Sequence, residues 1–255
     1  MSSMFDLSGK TSVVTGGNGG VGLAFCRGLV RAGGRVAIWA RNNKKNADAV
    51  AELRDMGGDV EAFVCDVTDE NQVVATFAET LKRFDKVDAC FANAGGAGFR
   101  GMAHLTSRED WLATIDLNLM SVVHTFAPVT EHMLSRGDGG KLVVTSSVAA
   151  LLGTGGAAGY STTKAAVRGL VQALAIELGQ GGIQVNAVLP GFIKTEMSVQ
   201  TSAAFQDACR RRSAIGRIGQ LRDMEGIAVF LASDYSDFMT GQSIIMDGGH
   251  TIHPM

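Results

Sequence analysis

The sequence predicts a single doubly wound α/β domain, with a parallel sheet of about seven strands and helices on both faces. Short apolar, β-branched runs alternate with longer segments of helical periodicity. The helical segments are long enough for right-handed crossovers, which makes the sheet parallel. No Pro-rich linker, repeat or low-complexity segment divides the 255 residues, so one domain over 1–255 is expected. The predicted strands are 10–15, 35–40, 60–65, 87–92, 141–146, 183–188 and 243–246.

Composition and charge narrow the function classes. Hydrophobic residues make up 46% of the chain and charged residues 19%, which is typical of a globular domain. The formal net charge is -2, so no basic surplus exists to neutralise nucleic-acid phosphates, and no nucleic-acid partner is expected. The N-terminus has no signal-peptide pattern, and no apolar run is expected to span a membrane. We therefore expect a cytoplasmic protein with no membrane partner.

The cysteines and histidines do not have the spacing of a metal site. No C-x-x-C pair occurs, and three of the four cysteines lie in apolar runs, which indicates buried free thiols in a reducing compartment. The histidines lack zinc-ligand spacing, so no metal is expected. These residues are Cys26, Cys65, Cys90, Cys209, His104, His124, His132, His250 and His253.

The stretch after the first predicted strand has the pattern of a nucleotide site. A Gly-rich turn follows at 16–22, and apolar residues then recur at helical spacing. Such a turn lets the backbone approach a pyrophosphate, and the helix N-terminus supplies unpaired N–H groups and the positive end of a dipole. The alternative is a loop that merely turns. The strand before it and the helix after it favour nucleotide binding.

The end of the second predicted strand bears on the choice of cofactor. In a dinucleotide fold this end meets the adenosine ribose, where an acid binds a 2′-hydroxyl and a cation accepts a 2′-phosphate. The position for the acid is Ala40, and the cations Arg41, Lys44 and Lys45 follow. We therefore expect NADP(H) to be favoured over NAD(H). The alternative is that these cations merely solvate the start of a helix.

A Tyr–Lys pair organises the centre of the chain. Tyr160 and Lys164 are four residues apart at the start of a predicted helix, so both side chains lie on one face. A cation beside a phenol lowers its pKa and allows proton exchange with an alcohol or carbonyl oxygen. Ser147 follows a predicted strand and can meet this helix start. Because ligands of a parallel sheet lie outside its carboxyl strand ends, the strand-end residues are also candidates: Thr15, Arg41, Asp66, Asn93 and Ser147.

Two further segments have more than one interpretation. Asn118 lies in the apolar part of a helix predicted over 107–134, so its amide needs either a local irregularity of the helix or a polar network. Residues 194–214 are polar, small and less regular, which suggests a substrate lid. Within them, residues 210–212 are three arginines that fit either an anionic substrate or a solvated helix face.

Together these motifs resemble the short-chain dehydrogenase/reductase family over nearly the whole chain. The closing stretch resembles the branch of 3-oxoacyl carrier-protein reductases and sugar or gluconate dehydrogenases. Residues 15–22 match the T-G-x-x-x-G-x-G turn, 93–95 the N-A-G element and 190–195 the P-G-x-x-x-T element. The resemblance implies a Rossmann fold and an NAD(P)-dependent oxidoreductase. The residues matching its catalytic tetrad are Asn118, Ser147, Tyr160 and Lys164.

The resemblance also implies roles for the matched residues. Tyr160 is the implied general acid/base, and Ser147 holds the substrate oxygen. Lys164 would lower the pKa of Tyr160 and bind the nicotinamide ribose, while Asn118 would complete a proton relay through water. The implied cofactor contacts are Thr15, Gly16, Asn18, Gly19, Gly20, Val21, Gly22, Arg41, Asp66, Val67, Asn93, Ala94, Gly95, Tyr160, Lys164, Pro190, Gly191, Ile193 and Thr195.

The resemblance leaves the substrate open. It implies reversible hydride transfer with a small-molecule carbonyl or secondary alcohol, in a protein that forms a homotetramer. A neutral ketone, a 3-oxoacyl thioester, a keto sugar and a steroid-like alcohol all fit. Asn18 stands where many NADP-preferring members carry a basic residue, which leaves NAD(H) possible. The alternative function is a sensor or scaffold that binds NADP(H) without catalysis, although such proteins usually lose tetrad residues.

Overall fold

The computed structural model describes residues 4–199 and 201–252, apart from the side chains at 197 and 199. Within these residues, seven parallel strands form one sheet in the order β3-β2-β1-β4-β5-β6-β7. The predicted doubly wound parallel sheet is confirmed, with each strand end within two residues of its prediction. The strands are β1 (Thr11–Thr15), β2 (Arg35–Trp39), β3 (Val60–Phe63), β4 (Ala89–Ala92), β5 (Gly140–Thr145), β6 (Ile183–Pro190) and β7 (Ser243–Met246).

Helices cover both faces of the sheet. Several begin at side chains that accept hydrogen bonds from the first turn: Asn42 accepts from the Lys45 amide, and Asp69 accepts from the amides of Asn71 and Gln72. The described α-helices are α1 (Gly20–Arg31), α2 (Asn43–Asp55), α3 (Glu70–Phe84), α4 (Arg108–Ile115), α5 (Ser121–Arg136), α6 (Ala149–Leu152), α7 (Ala158–Leu178), α8 (Glu196–Val199), α9 (Ala203–Arg212) and α10 (Glu225–Ala232).

Two apolar cores lie on the two faces of the sheet. Successive strand residues point to opposite faces, so Val13 belongs to the core under α3, α5 and α7, whereas Val14 belongs to the core under α1, α2 and α10. Both faces are therefore sealed, which is the usual condition of a parallel sheet. The part of the sheet that ligands can still reach lies at the carboxyl ends of the strands.

The four cysteines are buried and free, as the sequence predicts. Burial raises the pKa of the Cys26 and Cys90 thiols well above their ordinary value. Neither thiol is therefore ionised near neutral pH. Among the described residues no group of three or more histidine, cysteine, aspartate or glutamate side chains could hold a metal ion; His253 lies outside those residues.

The sequence predicts no membrane span, but one helical run has the length and composition of one. By length and composition alone, Arg108–Arg136 is long and apolar enough to cross a membrane. In this fold the run packs against the sheet, and Val122, Phe126 and Val129 of α5 are buried in the core. Packing within the domain therefore accounts for part of its apolar character; Leu112, Val123 and Leu134 of the same run are exposed.

The predicted lid is more regular than its sequence suggests. The part of 194–214 that the structure describes contains the short helix α8 and the ten-residue helix α9; residue 200 lies outside it. Ser202 caps α9 by accepting from the Phe205 amide, and Cys209 is the residue that α9 buries. A cap and one buried apolar position suffice for a short helix that polar composition alone does not predict.

Gly28 sets the distance between α1 and α10. A Cβ at this position would lie 2.4 Å from the carbonyl oxygen of Glu225, a backbone atom that cannot swing away. We expect Gly28→Ala to lower the free energy of unfolding by about 1–3 kcal/mol, because the two helices must separate. Gly169→Ala on α7 is the matched control, since nothing lies within 4 Å of its Cβ position. There the alanine should stabilise the helix by up to about 1 kcal/mol.

Urea unfolding monitored by circular dichroism measures both variants. Equal midpoints for Gly28→Ala and wild type would contradict the close contact between the helices.

Candidate active site

The strand ends open into a cavity of about 770 Å³. Most of the residues predicted for the site line this cavity. They are Gly16, Asn18, Gly19, Gly20, Val21, Arg41, Asp66, Val67, Asn93, Ala94, Gly95, Ser147, Tyr160, Lys164, Gly191 and Thr195. The other predicted residues, Thr15, Gly22, Asn118, Pro190 and Ile193, do not line it and lie in the structure that supports it.

The Gly-rich turn packs too tightly for side chains at key positions. Gly16 and Gly20 have φ values of 65° and 52°, in the left-handed region that favours glycine. A Cβ at Gly22 would lie 2.4 Å from the Gly16 carbonyl oxygen. The helix α1 starts from Gly19, which offers no side-chain cap, so no capping side chain competes for its first N–H groups. This cradle fits a pyrophosphate.

Thr15, at the end of β1, is hydrogen-bonded to the residues that follow β4. The order of the strands in the sheet reverses between these two neighbours. Its hydroxyl accepts hydrogen bonds from the amides of Asn93 (3.0 Å) and Ala94 (2.9 Å), and its carbonyl accepts from the Asn93 side chain at 3.1 Å. Thr145 at the end of β5 donates to the Asn93 side chain at 3.0 Å. Three adjacent strand ends are thus tied together. Thr145 also lines the cavity, and no motif in the sequence marks it.

The basic cluster after β2 divides into two parts. Arg41 lies 3.6 Å from Asp66 and Lys45 pairs with Glu196, and all four residues line the cavity. Lys44 instead pairs with Asp48 on the exposed side of α2. The three cations that the sequence groups together are therefore separated, and two of them reach the cavity.

A residue that the sequence analysis missed supports this end of the cavity. Asn46 is buried; its side chain donates to the carbonyl of Ala40 at 2.9 Å and accepts from the side chain of Asn18 at 2.7 Å. It thereby joins the Gly-rich turn to the end of β2. No motif in the sequence marks Asn46, because its burial becomes visible only in the folded protein.

Both interpretations of Asn118 hold. The helix between α4 and α5 widens into a π turn over Asp116–Met120, with Asn118 fully buried inside it. The Asn118 side chain accepts from the Gly96 amide and donates to the Gly96 carbonyl, each at 3.0 Å, and donates to Thr114 at 3.2 Å. Asn118 therefore fixes the loop after β4 against this helix.

Ser147, Tyr160 and Lys164 converge on one side of the cavity. Tyr160 lies in the first turn of α7, and the Lys164 ammonium is 5.8 Å from the centre of its ring. Lys164 donates to the Thr145 carbonyl at 2.7 Å, while the Ser146 hydroxyl donates to the Lys164 carbonyl at 2.7 Å. Ser147 follows directly, so β5 and α7 hold the three functional side chains together.

The pKa of Tyr160 differs from the sequence-based expectation. Burial raises it, and the neighbouring Ser147 hydroxyl and the Arg100 charge only partly offset that effect. Lys164 is not among the groups that lower it, and burial lowers the pKa of the Lys164 ammonium itself to about 8. The protein residues alone therefore keep the phenol protonated near neutral pH.

Comparisons with known proteins agree with this fold. The family model described as enoyl-(acyl carrier protein) reductase, adh_short_C2, matches residues 16–251. Gluconate 5-dehydrogenase of Gluconobacter oxydans is 35% identical over 98% of this chain and 97% of its own. The 3-oxoacyl-(acyl-carrier-protein) reductase of Thermotoga maritima is 33% identical over 96% and 99%, respectively. The crystal structure of a putative gluconate dehydrogenase from Agrobacterium tumefaciens superposes with a TM-score of 0.94, at 35% identity, covering 98% of both chains.

The chain therefore belongs to the short-chain dehydrogenase/reductase family. It is an oxidoreductase of the type that acts on CH–OH groups, in the branch that holds gluconate 5-dehydrogenase and 3-oxoacyl carrier-protein reductase. Members of the family use NAD(P)(H).

Lys164→Met is expected to change how stability depends on pH. Folding lowers the pKa of Lys164 to about 8 from 10.5. Between these values the unfolded chain holds a proton that the folded chain has lost, so the Lys164 contribution to the free energy of unfolding rises with pH. Below pH 8 both states hold the proton and the contribution is constant. The full rise is about 3 kcal/mol.

Urea unfolding from pH 7 to 10.5 measures this as the difference between wild type and variant, which should grow with pH. Lys82→Met is the control, because its exposed ammonium on α3 pairs only with Glu79. Parallel curves for wild type and Lys164→Met would show that Lys164 stays charged in the folded protein.

Proposed function

We propose that the protein is an NADP(H)-dependent oxidoreductase that interconverts a secondary alcohol and a carbonyl compound, with Tyr160 as general acid/base. The observation that carries the proposal is the convergence of Ser147, Tyr160 and Lys164 at one end of a cavity whose other end is a glycine cradle at a helix N-terminus. One elongated ligand can touch both ends.

The cavity fits a dinucleotide along its length. The turn at 16–22 would hold the pyrophosphate, since its backbone is open and its N–H groups are free of side-chain caps. Asp66 and Val67 would hold the adenine, and Asn93, Gly191 and Thr195 would surround the nicotinamide end. Four residues that do not line the cavity would support the backbone that makes these contacts: Thr15, Gly22, Pro190 and Ile193. When bound, the nicotinamide supplies a hydride acceptor or donor.

The proton chemistry belongs to Tyr160 and its neighbours. In reduction, the phenol gives its proton to the developing alkoxide, and the Ser147 hydroxyl donates a hydrogen bond to the same oxygen. In oxidation, the carbinol carbon loses its hydrogen with the bonding electron pair to the cofactor, and the O–H proton passes to Tyr160. The raised pKa of Tyr160 suits the reductive direction, because the donor is then already protonated.

Asn118 and Lys164 support this exchange. Lys164 would bind the nicotinamide ribose, and its fixed position depends on the Thr145 carbonyl. Asn118 would complete a proton relay through water. Its two bonds to Gly96 hold the loop that borders the nicotinamide end.

The preference for NADP(H) rests on the end of β2. Ala40 offers no carboxylate to a 2′-hydroxyl, whereas Arg41 and Lys45 line the cavity there. Both cations have carboxylate partners, Asp66 and Glu196, that a 2′-phosphate would compete with.

We further propose that residues 194–214 form a substrate lid and that the protein is a cytoplasmic homotetramer. Thr201, Phe205 and Cys209 come from the described part of this segment and line the cavity, which supports the lid. Large apolar side chains on the surface, Ile176 and Phe238 among them, support contacts between copies. The substrate is a small carbonyl or alcohol compound, in keeping with the gluconate, rhamnose and 3-oxoacyl substrates in the names of the relatives.

Tyr160→Phe is expected to lower kcat by roughly 10²–10⁴-fold while leaving the NADPH dissociation constant unchanged, because it removes the proton donor and no phosphate contact. The assay is NADPH consumption with a panel of ketones, keto acids and 3-oxoacyl thioesters, alongside cofactor binding by fluorescence. Tyr235→Phe is the control, since this exposed tyrosine packs on Phe5. Undiminished kcat in Tyr160→Phe would rule out the assigned role, and cofactor binding with no turnover by wild type would favour the sensor.

Arg41→Gln is expected to weaken NADPH binding roughly tenfold and to change NADH binding much less, because the guanidinium would bind the 2′-phosphate that NADH lacks. Dissociation constants for both cofactors, measured by titration, test this. Lys44→Gln is the control, since Lys44 lies in the same cluster but pairs with Asp48 away from the cavity. Tighter binding of NADH than NADPH by wild type would contradict the preference.

A further inference from the structure

The substrate end of the cavity carries a cation that the proposed mechanism does not use. Arg100 lines this end, on the loop between β4 and α4. Burial raises the pKa of the Tyr160 phenol, and the nearby Arg100 charge offsets a small part of that effect. A charge that acts on the phenol also acts on a substrate bound beside it.

The loop that carries Arg100 is attached to the catalytic helix. The amide of Gly101, the next residue, donates to the Gly156 carbonyl at 2.9 Å, just before α7 begins. On the other side, Gly98 packs against Thr114 and Gly96 is held by Asn118. Arg100 is exposed and is presented to the cavity by a loop that contacts the rest of the domain on both sides of it.

No carboxylate balances Arg100 at this end. The acidic residues that line the cavity are Asp66 and Glu196, and these pair with Arg41 and Lys45 at the other end. Among the ion pairs and hydrogen bonds of the described residues, none involves Arg100. The wall around it is otherwise apolar or neutral, and its members include Leu117, Leu152, Thr154, Phe192 and Phe205.

The three arginines at 210–212 do not lie at this end of the cavity. Arg210 and Arg211 both pair with Asp207 on α9, and Arg212 donates to the carbonyl of His250. None of the three lines the cavity, although His250 does. Burial lowers the pKa of His250, so its ring is neutral near pH 7. The solvated-face interpretation fits Arg210 and Arg211, and Arg100 is the cation left for a substrate.

We propose that Arg100 selects an anionic substrate: a small hydroxy carboxylate, or the corresponding oxo carboxylate, whose carboxylate binds the guanidinium while the reacting carbon lies at Tyr160. This inference rests on the proposed function and adds the substrate class to it. One guanidinium matches one carboxylate in charge and in its two-pronged geometry. The electron and proton transfers are those given above, and the carboxylate takes no part in them.

The test compares turnover of matched pairs of substrates by the full-length protein with NADP(H). Each hydroxy carboxylate of four to six carbons is paired with its primary amide, and phosphate monoesters of the same length distinguish carboxylate from phosphate recognition. Wild type is expected to favour the acid over the amide in kcat/KM. Arg100→Gln should lower kcat/KM for the acid roughly 10- to 100-fold, mainly through KM, whereas the KM for the amide should stay close to that of wild type.

Arg108→Gln is the matched control, because Arg108 is an exposed arginine on the following helix and does not line the cavity. Binding gives a second readout: calorimetric titration of the acid into Tyr160→Phe with NADP⁺ should lose affinity when Arg100→Gln is added. Rising salt should weaken acid binding in the presence of Arg100 only.

Three results would overturn the inference: equal use of acid and amide by wild type, equal loss of both in Arg100→Gln, or preference for the phosphate monoester. Each of these leaves the proposed reductase function standing, because turnover is still observed. Turnover of neither acids nor neutral compounds by wild type would overturn both proposals.

Discussion

All seven strands run in one direction, and this constraint decides where every polar group of the site lies. Parallel pairing brings the carboxyl ends of all strands to one end of the sheet. Later strands are added outward from β1 on one side and from β4 on the other. The helices that follow these two strands cover opposite faces, so a crevice is left between them. The Thr15 hydroxyl lies at the bottom of this crevice and accepts hydrogen bonds from the amides of Asn93 and Ala94. The Gly-rich turn and the Tyr160 helix therefore open onto one cavity.

Buried polar groups keep that cavity in one geometry. Lys164 is held by the Thr145 carbonyl and Asn118 by Gly96, so groups that are costly to bury are each satisfied by backbone. Lys164 still loses part of its preference for the charged state, as its lowered pKa indicates. The protein thus gives up some stability to place a cation and an amide where the proposed chemistry needs them.

Much of the fold and of the candidate site follows from local sequence. Apolar residues with period 2 or 3.6 mark strands and helices, and a β-branched run followed by glycines predicts the turn at 16–22 because only glycine fits there. The four-residue spacing of Tyr160 and Lys164 places both on one helix face. The short helices α8 and α9 escaped prediction, because polar composition hides a helix that depends on a cap and a single buried contact.

The sequence by itself determined the order of the elements and which chemical groups stand at the strand ends, because both depend on neighbours a few residues apart. Tertiary structure decided which of those groups meet. Lys45 and Glu196 pair across 151 positions, and Asn46 bonds to Asn18 although no motif marks it. The direction of the Tyr160 pKa and the exposure of Arg100 to the cavity were settled in the same way. Burial and charge at a site are sums over residues from distant parts of the chain, which no local pattern contains.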